Sequence, residues 1–358
     1  MRDDRIFAAG GPYLFSPAID LAVFAGSAVA AWLLVAVGRA AGVHDGDAPE
    51  WIWLSCVVGI DVAHVWSTGF RVYFDAAEVR RRPLLYLGLP VVAYLIGVGA
   101  HAFGPAVFWR MLAYVAVFHF VRQQVGFMKL YQRRDRALGR ADVILERATM
   151  YAVMLYPLAY WHGSLPRNFA WMLQGDFAEE LGTLARPLVP FAELVTVVLL
   201  ACFSCRQVVL ASRRHLVLGK PLLVLATASS LIGGIVWFDS DFVFTVTNVL
   251  LHGVPYFVLT YRHARASAAP SLARRVVQSG FVPFVLVCVA LAFSEEWLWD
   301  GLVWHERTYL FGAHESLSGA ALTLVVPLLA LQQLTHYLLD GFVWRVRSEN
   351  PVLRRELE

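Results

Sequence analysis

Residues 18–40 read AIDLAVFAGSAVAAWLLVAVGRA, with no charge between Asp20 and Arg39. A helix that crosses the roughly 30 Å hydrocarbon core of a bilayer needs about 20 apolar residues. This stretch supplies them, so it predicts a membrane span. Nine further apolar windows follow it, near 51–74, 84–102, 105–130, 148–162, 188–210, 221–238, 242–261, 280–297 and 319–344. Pro83, Pro105, Pro187, Pro221 and the Gly280 region punctuate their ends, as helix breakers do. Trp51, Trp53, Tyr160, Trp161, Trp297 and Trp299 gather near boundaries, which suits an interfacial aromatic belt. The expected fold is an all-α polytopic integral membrane bundle of ten transmembrane helices, one domain over residues 1–358.

The whole composition agrees. The 358 residues are 58% hydrophobic and 16% charged, with a mean hydropathy of +0.58. Soluble domains carry about 25% charge. The numbers exclude a soluble globular enzyme, a disordered chain and a disulfide-stapled secreted module. Cys56, Cys202, Cys205 and Cys288 all lie in apolar stretches, so no disulfide framework is expected. The pair Cys202-x-x-Cys205 on an apolar helix reads as packing. The segment from Met1 to Arg5 is charged and a long apolar stretch follows without a small-residue cleavage pattern. That predicts a retained first span, not a cleaved signal peptide.

The basic residues set the orientation. Lys129 and Lys220 are the lysines; the rest of the 30 basic residues are arginine. With the N-terminus inside, inner loops carry Arg80, Arg81 and Arg82, then Arg133, Arg134, Arg136 and Arg140, then Arg213, Arg214 and Lys220, then Arg262, Arg265, Arg274 and Arg275, and finally Arg345, Arg347, Arg354 and Arg355. Opposite loops are acidic or sparse: His44 to Asp47 with Glu50, Asp239 to Asp241, and Glu295 to Glu315. Arg39, Arg110, Arg167, Arg186 and Arg307 are the exceptions. The alternation predicts ten spans with both termini cytoplasmic, in a bacterial inner (plasma) membrane. A nucleic-acid partner is not expected. The outer segments near 163–187 and 298–318 contain Trp, Phe and Leu and are expected to cap the bundle. His64-x4-Gly69-Phe70 and His336-x4-Gly341-Phe342 give a weak hint of internal repetition.

Of 11 histidines, His44, His101, His162, His215, His263, His305 and His314 fall in loops or at helix ends and read as solvated. His64, His119, His252 and His336 fall inside the second, fourth, eighth and tenth windows. All four helices then run from outside to inside. Counted from the outer end, the histidines are the fourteenth, fifteenth, eleventh and eighteenth residues of their windows. At 1.5 Å per residue that spread is about 10 Å, which helix tilt can absorb. One common layer of imidazoles follows.

Each histidine has polar company at i±3 or i±4, the spacing that shares a helix face. Asp61 and Thr68 flank His64, with Arg71 seven beyond. Arg122 and Gln123 follow His119. Asn248 and Tyr256 flank His252, beside an expected kink at Pro255. Gln332 and Gln333 precede His336, and Asp340 follows it. Ionisable groups facing lipid are costly, so these stripes are expected to face one another or a wet cavity. Four imidazoles with two carboxylates suit a transition metal: iron first, with copper or zinc as alternatives. His64, His119, His252 and His336 are the expected ligands. Asp61 and Asp340 are candidate ligands, or acceptors that fix the histidine tautomers. Tyr256 and Gln123 are candidate catalytic donors. Arg71, Arg122, Asn248 and Gln332 are candidate substrate or supporting residues.

The function expected is a membrane-embedded non-haem iron oxygenase or oxidase in lipid metabolism, with a lipid, terpenoid, carotenoid or fatty chain as substrate and an electron donor as a further partner. The alternatives are a proton-coupled permease with a His/Asp relay and a haem-binding electron carrier. The clustered H-x-x-x-H and H-x-x-H-H patterns of membrane desaturases and alkane hydroxylases do not occur. In architecture alone the chain is similar to the bacterial carotene-cleaving membrane enzymes, multi-span bundles with iron held by histidines on separate helices. That resemblance implies histidine-bound iron.

Overall fold

The computed structural model describes residues 5–8, 11, 13–43, 46–135, 138–267, 271–312, 314, 316–346 and 350–357, with side-chain surroundings up to Arg354. His44, Arg136, Glu315, Arg347 and the first four residues lie outside them. The described chain is helical and holds no strand. Its long helices are α1 (Pro17–Ala40), α2 (Glu50–Arg71), α3 (Leu84–Phe103), α4 (Pro105–Arg134), α5 (Arg140–Gly163), α6 (Glu179–Ser212), α7 (Gly219–Trp237), α8 (Asp241–Ala266), α9 (Phe281–Trp304) and α10 (Gly319–Val343). Every expected window therefore holds a helix. Eight of these helices are long and apolar enough to cross a membrane; α4 and α5 are not among the eight. Both begin or run through charged and amide residues, such as Arg110, Arg122 and Gln123 on α4 and Asp142, Glu146 and Arg147 on α5. The ten-span count thus stands at eight by length and composition.

The chain divides into two compact units. One comprises Met1–Arg5, Val57–His119 and Tyr256–Arg355. In it the C-terminal part of α2 packs on α9 and α10, and α3 lies along α10. Gly97 permits that closeness, because a Cβ there would sit 3.0 Å from the Cβ of Pro327. Val72, Tyr86, Leu339 and Val343 form a buried apolar cluster. The segment near 298–318 folds inward: Trp304 lies 5.5 Å from Trp109 and 5.6 Å from Trp299, ring to ring. Pro327 lies inside α10, and the helix turns out of register at Ala330 before Leu331 restarts it. Proline removes a backbone donor and crowds the preceding turn.

The other unit comprises Ile6–Cys56, Phe120–Pro255 and Glu356–Glu358. Here α5 packs along α6 and α7, and α1 packs on α7. Ser16 caps α1 by accepting from Ile19 N–H at 3.2 Å, ahead of Pro17; a polar cap followed by proline is a standard helix start. Asp20, fully buried, accepts from the Leu14 and Phe15 amides at 2.5 and 2.8 Å and from the Tyr131 phenol at 2.5 Å. The segment near 163–187 is folded onto Trp161, whose ring lies 4.5 Å from both Phe169 and Phe177. Lys220, read above as an inner-loop marker, is buried between Asp135 at 2.7 Å and Glu146 at 2.8 Å. A buried charge needs such pairing. Pro255 lies inside α8, which runs unbroken from Asp241 to Ala266.

Candidate metal centre

Four helices carry the histidines. His64 follows a wide, π-type stretch of α2, Trp53–Val62, that ends one residue after Asp61. Such turns are found often at functional positions. His119 sits midway along α4, His252 on α8 and His336 on the restarted half of α10. All four are buried, and one ring nitrogen of each lies within 4.8 Å of the others. Among the described residues this is the group of His, Cys, Asp or Glu side chains close enough to hold an ion. Metal–imidazole bonds are about 2.0–2.1 Å, so two nitrogens on one ion lie at most about 4.2 Å apart.

Within the first unit the rings are in mutual contact. His336 lies 4.4 Å from His119 and 5.0 Å from His64, centroid to centroid. Tyr337 flanks His119 at 5.0 Å. The carboxylates stand outside the ligand group. Asp61 Oδ1 is 3.6 Å from His64 Nδ1, and Asp340 Oδ2 is 3.6 Å from His119 Nδ1. Both distances exceed a hydrogen bond, yet both place a carboxyl oxygen behind a ring. Asp340 Oδ1 accepts from the Tyr256 phenol at 2.6 Å and from Trp344 Nε1 at 3.1 Å. Thr68 Oγ1 lies 2.7 Å from His336 Nδ1 and 3.2 Å from the Tyr256 oxygen.

Within the second unit, α4 grips α8. Pro255 has no N–H to give the Leu251 carbonyl, four residues back in the helix. Gln124 Nε2 donates to that carbonyl at 3.4 Å, and Gln123 Nε2 donates to the His252 carbonyl at 2.9 Å. The His252 ring stacks on Phe120 at 4.9 Å. Gln123, expected to donate into the pocket, thus gives one of its two amide protons to the backbone of α8. Asn248 Oδ1 and Gln332 Nε2 are buried atoms with no hydrogen-bond partner among the described residues. Arg122 is exposed.

Arg71 belongs to a different network. Buried, it donates to the Val343 carbonyl at 2.9 Å and to Asn350 Oδ1 at 2.8 Å, and pairs with Glu78 at 3.0 Å. Its guanidinium lies 5.5 Å over Trp344, the residue that donates to Asp340. Burial alone would raise the Glu78 carboxyl, but Arg71, the Tyr86 phenol and Arg81 outweigh it and hold the group below its ordinary range.

Two histidines read as solvated are buried. His101 pairs with Thr323 at 3.3 Å, and His263 packs edge-on to Trp344 at 5.6 Å. The reading of the sequence also missed Trp344 and Gln124. Gln124 was signalled by its place beside Gln123 on the face of His119's helix; Trp344 had no signal beyond its i+4 spacing from Asp340. No protein-family model, curated protein or solved structure matches the chain.

Proposed function

We propose that the protein is a membrane-embedded metalloenzyme in which His64, His119, His252 and His336 hold one transition-metal ion, iron in the first instance, and that it oxidises a lipophilic substrate with dioxygen. The observation that carries the reading is the convergence of four buried imidazole nitrogens within 4.8 Å. Imidazole suits iron, copper and zinc, and neither thiol nor carboxylate joins the set. Haem iron takes at most two axial protein ligands, so four imidazoles gathered in one group favour a bare ion over haem.

Bound there, a redox-active ion would supply electrons to dioxygen and open positions for reactants. The chain's own residues do the rest. Asp61 and Asp340 set charge behind the rings of His64 and His119. Tyr256 and Trp344 hold Asp340. Gln123 and Gln124 fix the backbone that carries His252. Asn248 and Gln332, one turn from His252 and His336, offer unpartnered amide atoms to a ligand's polar group.

A site among apolar helices is reached most readily from the lipid phase, so the substrate is a lipid, terpenoid, carotenoid or fatty chain. Continued turnover by an oxygenase that inserts a single oxygen atom calls for a separate electron donor. The location is the bacterial inner membrane with cytoplasmic termini. Metal analysis of protein purified in detergent tests the centre. Wild type should carry about one first-row ion per chain, and each of His64→Ala, His119→Ala, His252→Ala and His336→Ala should lose most of it. Full occupancy in all four variants would sink the assignment. Copper or zinc in place of iron would change the ion and, for zinc, remove the oxidative chemistry.

A further inference from the structure

A chain of four polar groups runs through the first unit from a carboxylate to a candidate ligand, and counting one proton per hydroxyl from an ionised Asp340 assigns its hydrogen-bond directions. As a carboxylate, Asp340 only accepts. Tyr256 has one phenolic proton, and it goes to Asp340 Oδ1 at 2.6 Å. The Tyr256 oxygen must then accept, so the contact of 3.2 Å with Thr68 uses the Thr68 proton. A threonine hydroxyl also has one proton. At the 2.7 Å contact with His336 Nδ1, Thr68 is therefore left as the acceptor, and His336 must carry its proton on Nδ1. Trp344 Nε1–H, donating to the same Asp340 oxygen at 3.1 Å, reinforces acceptance at the head of the chain.

We propose that Thr68 and Tyr256 are positioning residues that relay the charge of Asp340 to His336, locking the Nδ1–H tautomer and presenting Nε2 to the metal. The same carboxylate stands 3.6 Å from His119 Nδ1 through its other oxygen. One aspartate on α10 thereby faces the His119 ring across 3.6 Å and orients the His336 ring through two hydroxyls. The inference rests on the reading of His336 as a ligand, but the tautomer itself exists without metal. Which ring nitrogen holds the proton is set by the partner of the other, and partners of ligating histidines change metal affinity about 10–100-fold.

The test uses the full-length protein, metal-stripped, with 15N-labelled histidine in nanodiscs. The His336 resonances are assigned by their loss in His336→Ala. Wild type and Thr68→Ser should both show protonated Nδ1 and bare Nε2. Thr68→Val, which keeps the shape and removes the hydroxyl, should move the proton to Nε2 or mix the forms. Tyr256→Phe should weaken the preference, because Thr68 is then free to turn its proton toward the ring. On titration with Fe(II) or Co(II), the dissociation constant of Thr68→Val should rise about 10–100-fold while Thr68→Ser stays near wild type. Protonated Nε2 in wild type, or an unchanged Nδ1–H in Thr68→Val, overturns the relay. A wild-type protein that shows the stated tautomer and binds no metal leaves the relay standing and removes the metalloenzyme reading instead.

Discussion

Gln124 answers a vacancy made by another residue's chemistry. Pro255 removes the N–H that the Leu251 carbonyl would use, and the Gln124 amide fills in from a neighbouring helix. A buried acceptor left unmet costs about 1–3 kcal/mol. Gln124→Leu should destabilise the protein by about that amount. In a Pro255→Ala background the helix supplies its own N–H, and the same substitution should cost little, since residues that share a partner do not add. Thermal unfolding in detergent of the four proteins of this cycle measures the difference. Equal costs in both backgrounds would show that Gln124 acts elsewhere. At this scale the sequence was partly legible. His64, His119, His252 and His336 could be placed by counting along apolar helices, because depth is a property of one helix. Thr68 as a link, Asp20 as an anchor, and the burial of His101 and His263 depend on what another segment brings to the side chain, and spacing along one helix does not carry that.

At the scale of the element, the C-terminal end of α2 is tied down by charge. Arg71 closes the helix and pairs with Glu78 on the short helix Ala76–Arg81, which begins at an Asp75 cap accepting from the Ala77 and Glu78 amides at 3.0 and 3.3 Å. Arg81 pairs with the second Glu78 oxygen at 2.5 Å, and the Tyr86 phenol donates to the first at 2.6 Å. Since Glu78 is held below its ordinary value in the fold, the folded state binds its proton less readily than the unfolded chain. Its contribution is therefore full above the unfolded value of about 4.3 and is lost as pH falls through the folded value. Unfolding temperature should fall below about pH 4.5 in wild type, and Glu78→Gln should be less stable near neutrality with a flatter acid limb. An unaltered acid limb in that variant would remove Glu78 from the account. The helix windows were legible here, because proline and runs of charge mark their ends. The break at Ala330 was not, since Pro327 lies inside an apolar run. Pro255 lies inside a continuous α8, where Gln124 supplies the missing donor.

For the whole molecule the open quantity is whether α4 and α5 cross the membrane. Length permits it: α4 has 30 residues and α5 has 24, about 45 and 36 Å at 1.5 Å each, against a hydrocarbon core of about 30 Å. Composition argues the other way only if their polar residues face lipid. Many do not. Gln123 and Gln124 are bound to the backbone of α8. Gln132 donates to Glu146 at 2.9 Å and accepts from Arg147 at 2.8 Å. Glu146 pairs with Lys220, and Asp142 with Arg206 at 2.6 Å. A hydropathy window charges such groups the full cost of lipid exposure, although they are met by protein. We therefore expect both helices to span, giving ten. The side of the termini does not discriminate, because eight and ten spans both bring them together. The loop between α4 and α5 does: it is cytoplasmic if both helices cross, and on the outer face if neither does. A cysteine at Leu138, in a background with the exposed Cys202 and Cys205 changed to serine, should react with a membrane-impermeant maleimide only after the inner face is opened. Labelling of intact cells would return the count to eight and detach the loop's arginines from the positive-inside pattern.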